Sequence, residues 1–144
     1  MTKRAFTLIE LIVVLIIIGI LAALALPQFS KTKEHAIGKE AVANLKLIAA
    51  AEKIYRMEGS VYYPIPAGTK NNIAGDCSTD GAINGCLRLS IPAGESRNWN
   101  YSVTGAASTF TSTASRVSGP YSSCTYTINN TTDDPTPVVP ANCP

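Results

Sequence analysis

Hydrophobic positions divide this chain into stretches of different period. The nineteen residues from Leu8 to Leu26 are almost wholly apolar, with Glu10 the one charged side chain among them. At about 1.5 Å per residue they would make about 28 Å of helix, enough to cross a bilayer core. Past Pro27 the pattern turns periodic. Ile37, Ala41, Leu45, Ile48 and Tyr55 recur at spacings of 4, 4, 3 and 7, one face of a helix. Lys39, Glu40, Lys46, Lys53 and Arg56 lie off that stripe. Glu52 stands at its edge, where it is expected to snorkel or to pair with Arg56 one turn on. Gly59 is the expected C-terminal cap. The pattern predicts one helix from Phe6 to Glu58 in two halves, residues 6–27 apolar all round and residues 28–58 amphipathic. Pro27 removes a backbone hydrogen bond near the junction, so a bend is expected there, and Gly19 is a second weak point.

After Gly59 the helical period stops. Ser60 to Ser96 is rich in Gly, Pro, Asn and Ala, and Pro64, Pro66 and Pro92 exclude long regular elements, leaving a loop with a short ordered turn at Leu87–Ile91. Alternation then appears in Trp99 to Val103, more loosely in Phe110 to Val117, and in Thr125 to Ile128. Gly105, Gly119-Pro120 and Asn129-Asn130 punctuate these runs. Three consecutive strands predict an antiparallel meander with one face against the amphipathic helix, an α+β class. Asp133 to Pro144 holds four prolines and is expected to be a tail excluded from any central strand.

Charge changes the picture through its distribution. The chain has 12 basic and 10 acidic residues, and removing Lys3 and Arg4, which precede the apolar run, leaves 12 − 2 = 10 of each. A neutral remainder gives no electrostatic case for direct nucleic-acid binding. Lys3 and Arg4 place the N-terminal end of the span in the cytoplasm and residues 59–144 on the exported side. An ordinary secretory signal, cut after Ala22, Ala23 or Ala25, is the competing reading, but Glu10 would weaken its hydrophobic region without benefit. Cys77, Cys86, Cys124 and Cys143 all follow the span, where disulfides persist. Four cysteines allow three connectivities, and local loop closure favours Cys77–Cys86 and Cys124–Cys143. A zinc site is disfavoured, because there is no Cys-x-x-Cys spacing and His35 is the sole histidine.

Candidate chemistry elsewhere is thin. Asp76, Asp80, Asp133 and Asp134 offer calcium-type oxygens at spacings that fit no loop signature. Asn100, Asn129 and Asn130 each open an Asn-x-Ser/Thr triplet in a Ser/Thr-rich region. The aromatics Tyr62, Tyr63, Trp99, Tyr101, Phe110 and Tyr126 are expected in a helix–sheet core. His35 belongs to a solvated helix face. With one histidine and scattered serines, no nucleophile–base pair is visible, and neither enzyme activity, metal nor cofactor is expected. Glu10 is the exception. A carboxylate in hydrocarbon costs roughly 2.5–3.5 kcal/mol on insertion scales and marks a partner or a pathway. The bland alternative is a Glu that complements the helix dipole near headgroups.

A basic head, a small residue, then Phe6-Thr7-Leu8-Ile9-Glu10 opening an uninterrupted apolar helix resembles the prepilin signature of type IV pilins and their pseudopilin relatives. The rest of the chain resembles that family in architecture alone. The resemblance implies a pilin fold with residues 1–5 as leader, 6–27 as membrane and filament-core helix, and 28–58 as its amphipathic continuation. Residues 59–144 would be the exported domain, with an αβ-loop, a meander and a Cys-closed end. It also implies that a prepilin peptidase cuts between Ala5 and Phe6 and that the Phe6 amine is N-methylated. The family usually has Gly where Ala5 stands. Glu10 matches the family's assembly glutamate, while Gly19 and Pro27 match positions flanking a segment that unwinds in several filaments. The implied partners are identical subunits in a helical homopolymer, the processing enzyme and the pilus assembly machinery. The implied location is the inner membrane and then an extracellular filament. The expected function is a type IV pilus subunit. A type II secretion pseudopilin is the first alternative, and a non-assembling single-span protein with an exported binding domain the second.

Overall fold

A computed structural model describes residues 6–63, 83–93 and 97–144 of the chain. These form two units, Met1–Ala36 and Ile37–Pro144. Helix α1 (Leu8–Gly59) supplies the first unit and the helical layer of the second. It starts two residues later than the hydrophobic pattern predicts, because Thr7 caps it. The Thr7 carbonyl accepts the Leu11 N–H at 3.3 Å, and the Thr7 hydroxyl oxygen accepts the Glu10 N–H at 3.4 Å. The helix runs on through Gly19 and Pro27. Below the proline, the hydroxyls of Ser30 and Thr32 donate to the carbonyls of Leu26 and Gln28.

The end of α1 corrects a second expectation. Gly59 is still helical, and Ser60 takes the left-handed conformation, with φ of 62°. Its N–H bonds to the Arg56 carbonyl at 2.8 Å, so the closing position falls on a residue with a Cβ. Ser60→Gly should therefore stabilise the domain by about 0.5–1 kcal/mol. A higher urea midpoint at unchanged slope is the expected result, and a lower midpoint would contradict it.

In the second unit a sheet of order β1-β2-β3-β4 packs on the helix: β1 (Trp99–Gly105), β2 (Phe110–Arg116), β3 (Thr125–Asn129) and β4 (Thr136–Pro137). All neighbours are antiparallel. The meander thus has a fourth strand that the sequence reading leaves out. A two-residue edge strand escapes pattern detection, and Pro137 is tolerated because it sits on the outer edge. The Val138 N–H still donates to the Thr125 carbonyl at 2.8 Å. A short 3-10 turn (Pro140–Asn142) follows. In the connecting region, one helical turn, α2 (Ile83–Cys86), precedes the expected turn at Leu87–Ile91. The Asn84 side chain closes that turn by accepting the Ile91 N–H and donating to its carbonyl.

The core follows from alternation. Trp99, Tyr101 and Val103 of β1 face inward with Phe110, Ser112 and Ala114 of β2 and Tyr126 and Ile128 of β3. Register places Ala114 between Tyr101 and Tyr126, and Ser112 between Val103 and Ile128. The central strand therefore carries small side chains between larger ones, leaving space for the helix. From α1 come Ala41, Leu45, Ile48 and Ala49, and from the connecting region Tyr62, Ile83, Leu87 and Ile91. Polar bonds set the helix against the sheet. The Trp99 indole donates to the Ile37 carbonyl at 2.8 Å, Asn44 donates to the Tyr101 hydroxyl at 2.9 Å, and Asn98 donates to Glu40 at 2.8 Å. Gly38 leaves room for the chain end, since a Cβ there would lie 3.3 Å from Pro144 Cγ.

Candidate functional site

The segment from Phe6 to Phe29 shows how the chain arranges its apolar surface. Every side chain in it is exposed, from Phe6 at 74% to Phe29 at 70%. Within α1 this stretch is long and apolar enough to cross a membrane. Small residues interrupt its bulk at Gly19, Ala22, Ala23 and Ala25, and a Cβ added at Gly19 would meet nothing within 4 Å. The surface requires lipid or other helices around it.

Glu10 lies at the third helical position, and its carboxylate accepts a hydrogen bond from the Thr7 hydroxyl at 3.4 Å. The Glu10 N–H in turn donates to the Thr7 hydroxyl oxygen, the N-cap half of a Thr-x-x-Glu capping box, while the carboxylate meets the hydroxyl and not the Thr7 backbone N–H. Part of what the sequence reading treats as the bland alternative is therefore present in the isolated chain. One weak local bond on an exposed carboxylate still leaves most of its acceptor capacity unused. Ala5, Lys3 and Arg4 lie outside the described residues, and Phe6 is the first residue seen.

The other predicted residues separate into two groups. Cys124 and Cys143 form a disulfide across 19 residues, with Cys124 fully buried. Cys86 is also disulfide-bonded, while Cys77, its expected partner, lies outside the described residues. The aspartates considered for calcium are used otherwise. Asp134 pairs with Lys46, which holds its carboxyl below the usual range, and Asp133 meets Lys53 at 3.5 Å. These exposed pairs attach the turn before β4 to the polar face of α1, each contributing little by itself. Asp76 and Asp80 are outside the described residues. His35 is exposed. The Asn100 side chain accepts a bond from Arg97 at 2.7 Å, and that of Asn129 takes bonds from Thr131 and Thr132.

Glu52 departs from expectation. It neither snorkels nor pairs with Arg56: it is fully buried, and its carboxylate accepts the Tyr63 N–H at 2.9 Å. Arg56 instead donates to the Tyr62 hydroxyl at 2.9 Å and lies over that ring. The buried stripe is Ala41, Leu45, Ile48, Ala49 and Glu52, while Tyr55 is only half-buried. A spacing of seven from Leu45 to Glu52 was the signal available in the sequence.

The family model for the prokaryotic N-terminal methylation motif matches residues 1–26, the stretch that holds Lys3, Arg4, Phe6, Glu10 and the exposed apolar run. The chain carries that motif. Among curated proteins it is similar to the type IV major pilin protein PilA of Myxococcus xanthus, 47% identical over 60 residues, 42% of this chain and 27% of that protein. It is also similar to type II secretion system core protein G of Pseudomonas aeruginosa, 44% identical over 60 residues, 42% of each chain. The corresponding protein of Pectobacterium carotovorum is 34% identical over 68 residues, 47% of this chain and 44% of that protein. The chain thus spans less than half the length of the curated relatives it matches. No solved structure matches it. Motif and fold agree: the methylation motif opens a long apolar helix whose continuation packs on an antiparallel sheet, a pilin-like α+β arrangement.

Proposed function

We propose that the chain is a prepilin whose mature form is a non-enzymatic, structural subunit of a type IV pilus. The observation that carries this reading is the methylation motif joined to an apolar helical stretch, Phe6 to Phe29, whose side chains are exposed. Such a surface is stable in the inner membrane before assembly and against identical helices afterwards. A head-to-tail contact between identical chains whose rotation does not close builds an open helical filament. Cleavage between Ala5 and Phe6 would free an amine that is mostly protonated at neutral pH, and N-methylation keeps its charge. That cation can pair with Glu10 of a neighbouring subunit, offsetting the burial cost of both. Gly19 and Pro27 are the positions at which α1 would yield when packed into a filament. The C-terminal disulfide favours the pilus over the secretion pseudopilus.

The alternative, a type II secretion pseudopilin, is favoured by one observation. The core G proteins of type II secretion are matched over a larger share of their length than the pilus subunit is. Both readings require the same processing. Mature chains should begin at N-methyl-Phe6 in a mass spectrum of purified filaments or membranes. Ala5→Gly should be processed at least as well, and Ala5→Glu should block cleavage. Mature chains beginning at Met1, or after Ala25, would overturn both readings. Electron microscopy then separates them: surface filaments made chiefly of this chain support the pilus, and their absence with a secretion defect supports the pseudopilin.

A further inference from the structure

Glu52 lies on the buried stripe of α1, seven residues from its end, with no exposed surface. One carboxylate oxygen accepts the Tyr63 N–H, and the other is buried with no hydrogen-bond partner. This contact joins the helix to the segment that leaves it, eleven residues on. Between them the chain reverses at Ser60, in the left-handed conformation. Tyr62, beside the contact, is buried with its ring edge-on to Phe110 at 5.0 Å. Tyr63 meets Tyr55 in the same manner. Arg56 and the Ala107 carbonyl hold Tyr62 as well, so within this exit the Glu52 carboxyl is the buried acidic group that the chain's departure from α1 is built around.

A purely structural role would be filled by Gln, whose carbonyl accepts the same bond without titrating. A carboxyl group behaves differently. Ionised and buried, it is satisfied on one oxygen only, and burial pushes the Glu52 carboxyl up to about 7, with the Tyr63 N–H acting against that rise. The ionisable neighbours along α1 are Lys53, Tyr55, Arg56 and Glu58; Lys53 meets Asp133, and Arg56 is committed to Tyr62. Tyr62 and Tyr63 come from the exit segment. Among the described residues none gives Glu52 a counter-charge.

We infer that Glu52 and the Tyr63 backbone amide form a pH-operated latch, closed in acid, that loosens the chain's exit from α1 as pH rises through neutrality. The sign follows from linkage. The folded state holds the proton more tightly than an opened state in which water reaches Glu52. Stability of the closed form is therefore fully present below the ordinary carboxylate range and is lost as pH climbs to about 7. Opening needs only the exit segment to lift, a local event well short of global unfolding. It would uncover Tyr62 and the edge of Phe110 on the exported domain.

Amide hydrogen exchange on the full chain in detergent, resolved by residue and corrected for intrinsic rates, tests this. The open population at Tyr63 should grow by at least about tenfold between pH 5 and 8, while amides at the centre of β2, such as Ala114, stay constant. Glu52→Gln should flatten the Tyr63 profile, and Glu58→Gln, an exposed carboxylate on the same helix, should leave it unchanged. Carbon-13 detection of the Glu52 carboxyl in the wild type should show its titration over the same range. A flat Tyr63 profile in the wild type would overturn the latch whatever the variants do. So would an equal loss at Ala114, which would mean global destabilisation instead.

Discussion

Glu10→Ala and Glu10→Gln should both leave the protein in the membrane, cleaved normally, and both should lose surface filaments. The two variants divide the roles this residue has in the structure. Gln at the third helical position can still accept the Thr7 hydroxyl, whereas Ala cannot, and both keep the backbone N–H bond to Thr7. Neither carries charge. If Glu10 serves to meet the freed Phe6 amine of the next subunit, each leaves a buried cation unpaired, at roughly 3–5 kcal/mol per contact. That loss is repeated at every subunit, so polymerisation should fall far more than monomer stability. Membrane insertion should survive or improve, because a carboxylate is removed from the apolar run. The unit Ile37–Pro144 with its Cys124–Cys143 bridge is separate from Glu10 and its fold should be unaffected. Filament yield, leader cleavage and membrane pools measured together decide the matter. Normal filaments from Gln alone would assign Glu10 to capping; normal filaments from both would reject the assembly role.

Removing the C-terminal bridge should cost the domain about 3 kcal/mol in the chain-entropy model, the second large effect expected. The bridge closes the loop between Cys124, beside β3, and Cys143, 19 residues further on. Within the loop, regular pairing of the last segment amounts to the two residues of β4 on β3, aided by Val138 and the exposed Lys46–Asp134 and Lys53–Asp133 pairs. Those contacts are too few to order a Pro-rich segment on their own. Cys124→Ala with Cys143→Ala avoids burying an unpaired hydroxyl and isolates the loss of the crosslink. Its melting temperature should drop by roughly 10–20 °C. Exchange at Val138 should rise before that of the β1–β2 ladder. A stability change below about 1 kcal/mol would show that the last segment is held by its packing near Gly38 and not by the bridge.

The large divisions of the chain were legible because each depends on local period. An apolar run, a 3.6-residue stripe and three alternating strands each advertise their surroundings over consecutive residues, and α1 and β1 to β3 lie close to where those patterns put them. The motif at residues 1–26 was legible for the same reason: the basic pair Lys3-Arg4, Phe6, Glu10 and the apolar run lie within one short stretch.

What only the tertiary structure decided involves residues far apart or too few to form a pattern. The two residues of β4 become a strand because β3 offers a free edge once the bridge brings the end of the chain back. Asp133 and Asp134 are ion-pair partners because their turn lies beside Lys53 and Lys46, some eighty residues earlier. Gly38 matters because Pro144 arrives there. Glu52 is the clearest instance. By position it belonged to the buried stripe, and by residue type to solvent. The outcome turned on whether a donor from elsewhere could meet its carboxyl group inside the core, and the Tyr63 N–H, which has no side-chain signature in sequence, supplied it.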